Sequence, residues 1–320
     1  MTNYSTFIGI DVSKEHLDIH IVQSNKRFRV DNSKKGCAKL CRQFAKLQKP
    51  AAAVEASGGY ERLALRMLSA TGIDSFCLDP VQVHAYSRSR LQRAKTDPID
   101  AEMIARCLMQ NHVILRPYIH DPITEELAEL VAFRTKLIRE ASKLTCRIDQ
   151  AEAALVLRIL KTQKRQVKAR IALLDKAIAD IVKNTDEFAQ KAEILRSMPG
   201  VGPVLSFTLL ARLPELGKLE GRKISALTGL APFARESGKS KKPGRCQAGR
   251  SDIRSVLYMA SLSAMRMEQH PLRLFAERLK KSGKPFKLVI VAVMRKMITM
   301  LNAMLRDMKN WQENSPQKTL

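Results

Sequence analysis

An α/β layer followed by a mainly helical remainder is what three features of the sequence predict. Short apolar segments with period-two spacing recur between Phe7 and Leu78 and alternate with stretches of helical spacing. From Thr124 apolar residues return every seven positions, as in a coiled coil. Beyond Phe188 short apolar helices are punctuated by glycine and proline. The expected divisions of the 320 residues are therefore 1–123, 124–187 and 188–320.

The first element is the apolar run Phe7-Ile8-Gly9-Ile10, which ends in Asp11. Leu17, Ile19 and Ile21 then alternate with Asp18, His20 and Val22, so a buried strand, a turn over Val12–Glu15 and an antiparallel partner are expected. A carboxylate ending a buried strand is costly unless something pairs with it, and a divalent cation is one such partner. Arg27–Val30 gives a third strand, and Leu40, Phe44 and Leu47 mark a helix over Lys34–Leu47. Ala51–Val54 is a strand ending in Glu55, with Ser57-Gly58-Gly59 signalling a turn, which repeats the placement of Asp11. A helix over Tyr60–Ala70, a strand over Ile73–Leu78 and a turn at Asp79-Pro80 leading into Val81–Tyr86 follow. Thr96-Asp97-Pro98 reads as a helix start, with Ile99, Met103, Ile104 and Leu108 as the apolar face. Asp97 and Asp100, three residues apart, project to the same side.

Leu130, Leu137, Leu144 and Ala151 form one heptad seam, and Leu160, Val167, Leu174 and Ile181 a second, out of phase with the first. Two helices folded back as a hairpin and a stutter in one helix both account for the shift, and assembly is the expected role. Pro199-Gly200-Val201-Gly202-Pro203 then lies between short apolar helices. Gly200 and Gly202 would let backbone amides approach a phosphate, as in a helix-hairpin-helix element; an ordinary tight turn is the plain alternative. Arg235–Arg250 reads as a flexible basic loop whose Lys239, Lys241, Lys242, Arg245 and Arg250 would meet nucleic acid. A helix starts at Ser251-Asp252, and a last one over Phe286–Met308 carries Met294, Met297, Met300 and Met304 as core filler.

The formal net charge is +25 with a pI near 10.1, which points to a polyanionic partner, nucleic acid before membrane surface. From Ser225 to Leu320, 19 Lys and Arg face 6 Asp and Glu, so the partner is expected chiefly on the C-terminal part. Aromatic residues make up only 5%, which argues against reading single-stranded bases by stacking. Six cysteines without paired spacing suggest free thiols rather than zinc ligands or disulfides. No signal segment opens the chain, and the apolar run Leu288–Met294 is too short to span a bilayer, so a soluble cytoplasmic protein is expected.

Asp11 and Glu55 end strands while Asp97 and Asp100 share a helix face, so a sheet packed on that helix could gather four carboxylates. Such a set suits magnesium, which activates a nucleophile and stabilises charge on a phosphate in transfer. Each acid also has a plain reading: Asp97 as a helix cap, Asp100 as a solvated acid, Glu55 as a turn residue. His16 and His20 flank a strand rather than forming a metal-binding pair. Ser237 lies beside a glycine among cations that could stabilise a phosphoserine, although turn serines are common.

Taken in order, Ile8-Gly9-Ile10-Asp11-Val12-Ser13-Lys14, Val54-Glu55-Ala56-Ser57-Gly58, Lys95-Thr96-Asp97 with Asp100-Ala101, Met198-Pro199-Gly200-Val201-Gly202, and Gly229-Leu230-Ala231-Pro232 leading to Glu236-Ser237-Gly238 resemble the insertion-sequence one-ten family of transposases, the bridge-RNA-guided recombinases. The resemblance covers nearly the whole chain. It implies an RNase H/RuvC-like N-terminal domain, a coiled-coil insertion and a mainly helical C-terminal transposase domain. By position it makes Asp11, Glu55, Asp97 and Asp100 the acidic, magnesium-holding quartet and Ser237 the nucleophile that links covalently to a DNA strand. It further implies donor and target DNA chosen by pairing with a structured bridge RNA, and a homo-oligomer built as a dimer of dimers. A magnesium-dependent junction nuclease and a non-catalytic nucleic-acid scaffold are the other readings.

Overall fold

The computed structural model describes residues 3–90, 97–237, 240–246 and 249–311. They form two compact units, Met1–Asp121 and Pro122–Leu320.

In the first unit β1 (Thr6–Val12), β2 (His16–Ile21) and β3 (Lys26–Asp31) make an antiparallel meander. β4 (Pro50–Glu55) and β5 (Asp74–Leu78) extend it on the other side of β1 in parallel, giving the order β3-β2-β1-β4-β5. This mixed sheet fits the RNase H-type layer expected of the N-terminal domain. β1 is central, and period-two alternation divides its residues between two faces. Ile8 and Ile10 pack with Leu40, Phe44, Leu65 and Leu68 from α1 (Lys34–Phe44) and α2 (Arg62–Ala70). Phe7 packs on the opposite face with Ala51, Ala53, Phe76 and Leu78. That face is covered by α3 (Pro80–Ser89) and α4 (Asp97–Asn111), through Val83, Ile104, Cys107 and Leu108. The stretch after Asp79-Pro80 is helical because the Asp79 carboxylate accepts the Val81 N–H at 2.8 Å and Pro80 sits in the first turn.

In the second unit the two heptad seams are a hairpin. α5 (Pro122–Gln150) and α6 (Ala154–Asn184) pack Leu137 and Leu144 against Val167, and Arg134 pairs with Asp175 near the other end. The break at residues 151–153 lacks both Gly and Pro, which is why spacing alone left a stutter open. α7 (Asp186–Ser197), α8 (Pro203–Arg212), α9 (Gly221–Leu227), α10 (Ser251–Arg266), α11 (Pro271–Lys281) and α12 (Phe286–Asp307) build the main core with the base of the hairpin. α12 is long and apolar enough to cross a membrane, but most of it is buried in this core, including Met294, Met297, Met300 and Met304.

The expected flexible loop is corrected. Residues 232–237 and 240–246 form a two-stranded antiparallel ribbon, β6 (Pro232–Ser237) with β7 (Ser240–Cys246), bulged between Phe233 and Arg235. An isolated ribbon needs no buried alternation, so its strands carry the composition of a loop.

Candidate active site

Asp11 and Glu55 stand at the carboxyl ends of neighbouring parallel strands. Gly9 pairs with Ala53 and Ile10 with Val54, so the next step of the register places Asp11 beside Glu55. Alternation puts Asp11 on the face of Phe7 and Gly9, and Glu55 on the face of Ala51 and Ala53. Both are half-buried, and Asp11 accepts the Val12 N–H at 3.1 Å. In open α/β sheets ligands collect at this edge.

α4 runs antiparallel to β1 across this face. Phe7 clusters with Cys107 and Leu108, whereas a Cβ on Gly9 would stand 2.0 Å from the Ala101 carbonyl oxygen and 2.5 Å from the Ala105 nitrogen. The first turn of α4, with Asp97 and Asp100, therefore comes over the end of β1 that carries Asp11. Asp100 is half-buried; the side chain of Asp97 lies outside the described residues. Gly9 thus shapes the corner through close packing, a part that a glycine inside a strand can signal in a sequence.

Two further groups, missed in the sequence, fix the surroundings. Glu102 on α4 accepts Arg27 Nη2 at 2.6 Å and Arg106 Nε at 2.8 Å, tying the helix to β3. Burial works to raise the Glu102 carboxyl, but the Arg106 hydrogen bond and nearby positive charge hold it below the usual range. His20, opposite Gly9, accepts Arg27 Nε on Nδ1 at 3.2 Å, and burial above all lowers its pKa. Behind Glu55, buried Glu61 gathers Ser57 N–H at 3.2 Å, Ser57 O–H at 2.9 Å and Gly59 N–H at 2.8 Å. Burial pushes the Glu61 carboxyl up, and these donors with its own amide outweigh that and leave it lowered. Arg27 and the Glu61 donors come from another strand or a turn and leave no mark in the sequence; only the Glu102–Arg106 pair, i,i+4 within α4, has a spacing that can be read.

In the second unit, Gly200 and Gly202 lie in the turn between α7 and α8 and differ in what they do. Gly200 has φ 90° and its Cβ would stand 3.2 Å from Ala264, so it serves the turn and its packing on α10. Nothing lies within 4 Å of a Cβ at Gly202, which precedes Pro203 at the open N-terminus of α8. Both glycines line a cleft of about 920 Å³ with Arg139, Arg196 and Val204. Ser237 is the last residue of β6, paired with Ser240. The side chains of Ser237, Lys241, Lys242 and Arg245, and the whole of Lys239, lie outside the described residues. Arg250 has its guanidinium on both Glu215 carboxylate oxygens at 2.7 Å and on the Arg212 carbonyl at 2.9 Å. Arg212 in turn donates to Asp252 at 2.7 Å, which cross-ties α8 to the start of α10.

Among the described residues, no three His, Cys, Asp or Glu side chains form a group able to hold a metal ion. The described residues do bring Asp11 and Glu55 side by side and set Asp100 in the helix turn above them. A donor set made only of carboxylate oxygens fits a hard divalent cation in kind.

The class that this α/β domain, acidic corner and helical second unit define emerges from comparison with known proteins. Residues 8–153 match a family model described as a transposase, the DEDD type of IS110 elements, and residues 192–277 match the transposase IS116/IS110/IS902 family. The chain belongs to this family of transposases. It is 27% identical to the pilin gene-inverting protein of Moraxella bovis, over 94% of this chain and 96% of that one. An uncharacterized 44.8 kDa protein of insertion element IS116 from Streptomyces clavuligerus is 29% identical, over 60% of this chain and 46% of that one. Thermus thermophilus RuvC in complex with a Holliday junction substrate superposes with a TM-score of 0.29 at 15% identity, over 36% of this chain and all of RuvC.

Proposed function

We propose that the protein is an RNA-guided DNA transposase in which Ser237 makes and breaks the covalent bond to DNA and the acidic corner assists. The observation that carries this reading is the pairing of two transposase matches, one containing Asp11, Glu55, Asp97 and Asp100 and the other containing Ser237. Asp11, Glu55, Asp97 and Asp100 would hold Mg²⁺, which when bound supplies positive charge to a phosphate in transfer.

The rest is transesterification by the chain's own groups. The Ser237 hydroxyl loses its proton as its oxygen bonds to phosphorus, the strand's P–O bond breaks, and the departing DNA hydroxyl takes a proton. One phosphate ester replaces another, so attack by the hydroxyl of a second strand reverses the step and rejoins DNA in a new partnership. Ser237 ends β6, paired with Ser240, and the sequence of the partner strand carries Lys241, Lys242 and Arg245, residue types suited to a phosphate. Choice of site by a structured RNA suits a strongly basic chain with few aromatic residues. Assembly as a dimer of dimers would let the acidic corner of one subunit serve the serine of another.

A metal-dependent nuclease is the second reading, favoured by the confinement of the acidic corner to the first unit. Ser237→Ala separates the two: the transposase loses its covalent protein–DNA adduct on a denaturing gel, and the nuclease continues to cut. Sequencing RNA that copurifies with the protein tests the guided part, and the lack of a discrete structured RNA contradicts it.

A further inference from the structure

The α5–α6 hairpin carries more charge than its packing needs. From Ala154 to Leu174 there are six Lys and Arg and no Asp or Glu. Leu160, Val167, Ile171 and Leu174 face α5. Arg158, Lys161, Arg165 and Lys168, at spacings of three, four and three, run along one flank of that seam, and all four are exposed. Among the described residues none of the four is in an ion pair, unlike Arg134 with Asp175 farther down the hairpin. At 1.5 Å per residue the stripe is about 15 Å long. It lies in the stretch between the two family matches, 8–153 and 192–277, so neither accounts for it.

Flanks that zip helices together carry mixed charge, whereas a second copy of this stripe would set like charge against like. Charge complementarity therefore favours a polyanion over another subunit. No Phe, Tyr or Trp occurs from Ala154 to Asn184, so the face has no platform for unstacked bases. What remains for four cations on a straight helix is a phosphate backbone. We propose that this flank of α6 docks the backbone of duplex DNA, independently of sequence, so that the hairpin is a DNA clamp as well as an assembly element. The inference rests on the proposed function only in taking DNA as the polyanion, and it concerns binding, not cleavage.

The test uses the full chain without divalent metal, a 30-base-pair DNA duplex and an RNA duplex of the same sequence, with affinity read by fluorescence anisotropy over a salt series. R158Q/K161Q/R165Q/K168Q is compared with K34Q/K35Q/K39Q/R42Q, which removes equal charge from exposed positions of α1. Glutamine keeps helix propensity, and circular dichroism with light scattering checks fold and mass. The α6 variant should lower the slope of log affinity against log salt for DNA by about three to four, R165Q alone by about one, and the affinity near 0.15 M salt by about tenfold or more. The α1 variant should stay within about twofold. Equal loss in both variants, an unchanged slope, a changed mass with DNA binding kept, or loss confined to the RNA duplex would each overturn the proposal. Because no metal is present, a failed cleavage mechanism leaves this readout untouched.

Discussion

Gly9 is a glycine for reasons of space. Its φ is not among the positive values found in the chain, yet a methyl group there would drive into the Ala101 carbonyl and the Ala105 nitrogen. Gly9→Ala should therefore lift α4, costing about 1–3 kcal/mol in urea denaturation and weakening metal-dependent cleavage more than stability alone explains. Glu61 gives a residue-scale prediction with a defined pH sign. Its folded pKa is lowered, so its contribution is complete above the ordinary carboxylate value and drains away as pH falls through the folded value. Glu61→Gln should lose about 1–3 kcal/mol at neutral pH. The gap to the parent should narrow as pH falls below the ordinary glutamate value, as seen in denaturation midpoints across pH.

At the scale of elements, Arg250 and Glu215 join the loop after α8 to the start of α10. Burial would raise the Glu215 carboxyl, and the Arg250 hydrogen bonds outweigh it and keep it low. Arg250→Gln should cost about 1.5–3 kcal/mol in urea denaturation while changing DNA affinity by less than about threefold, because its guanidinium is already engaged. The sequence made some of this legible and hid the rest for physical reasons. Strands ending in Asp11 and Glu55 were readable because a buried strand writes its alternation into the chain, and α4 because Pro98 and the Ile104–Leu108 face mark it. The β6–β7 ribbon was not, since its Lys, Gly and Pro residues read as a loop. Nor were the Glu102–Arg27, Glu61 and Glu215 contacts, whose partners lie on other elements or turns that spacing along the chain does not reveal, in contrast to the i,i+4 pair Glu102–Arg106 within α4. The choice between hairpin and stutter in the heptads turned on residues 151–153, where no breaker residue marks the reversal.

At the scale of the whole molecule, the proposed chemistry is divided. The acids belong to residues 1–121 and Ser237 to residues 122–320; the second family match lies within the second unit, and the first covers the first unit and continues through α5. Division implies two separable defects. Asp11→Asn should weaken Mg²⁺ affinity, measured by calorimetry, by about tenfold or more and slow strand cleavage, while DNA affinity in the absence of metal is kept. Ser237→Ala should leave Mg²⁺ affinity unchanged and remove the covalent step. The decisive comparison is a denaturing gel of labelled DNA incubated with the parent, Asp11→Asn and Ser237→Ala proteins together with any RNA that copurifies with them. A protein–DNA adduct in the parent, reduced in Asp11→Asn and absent in Ser237→Ala, is the expected result. Strand exchange that persists in Ser237→Ala, or cleavage by the parent with no adduct at any time, would contradict a serine-linked mechanism and return the chemistry to the carboxylates alone.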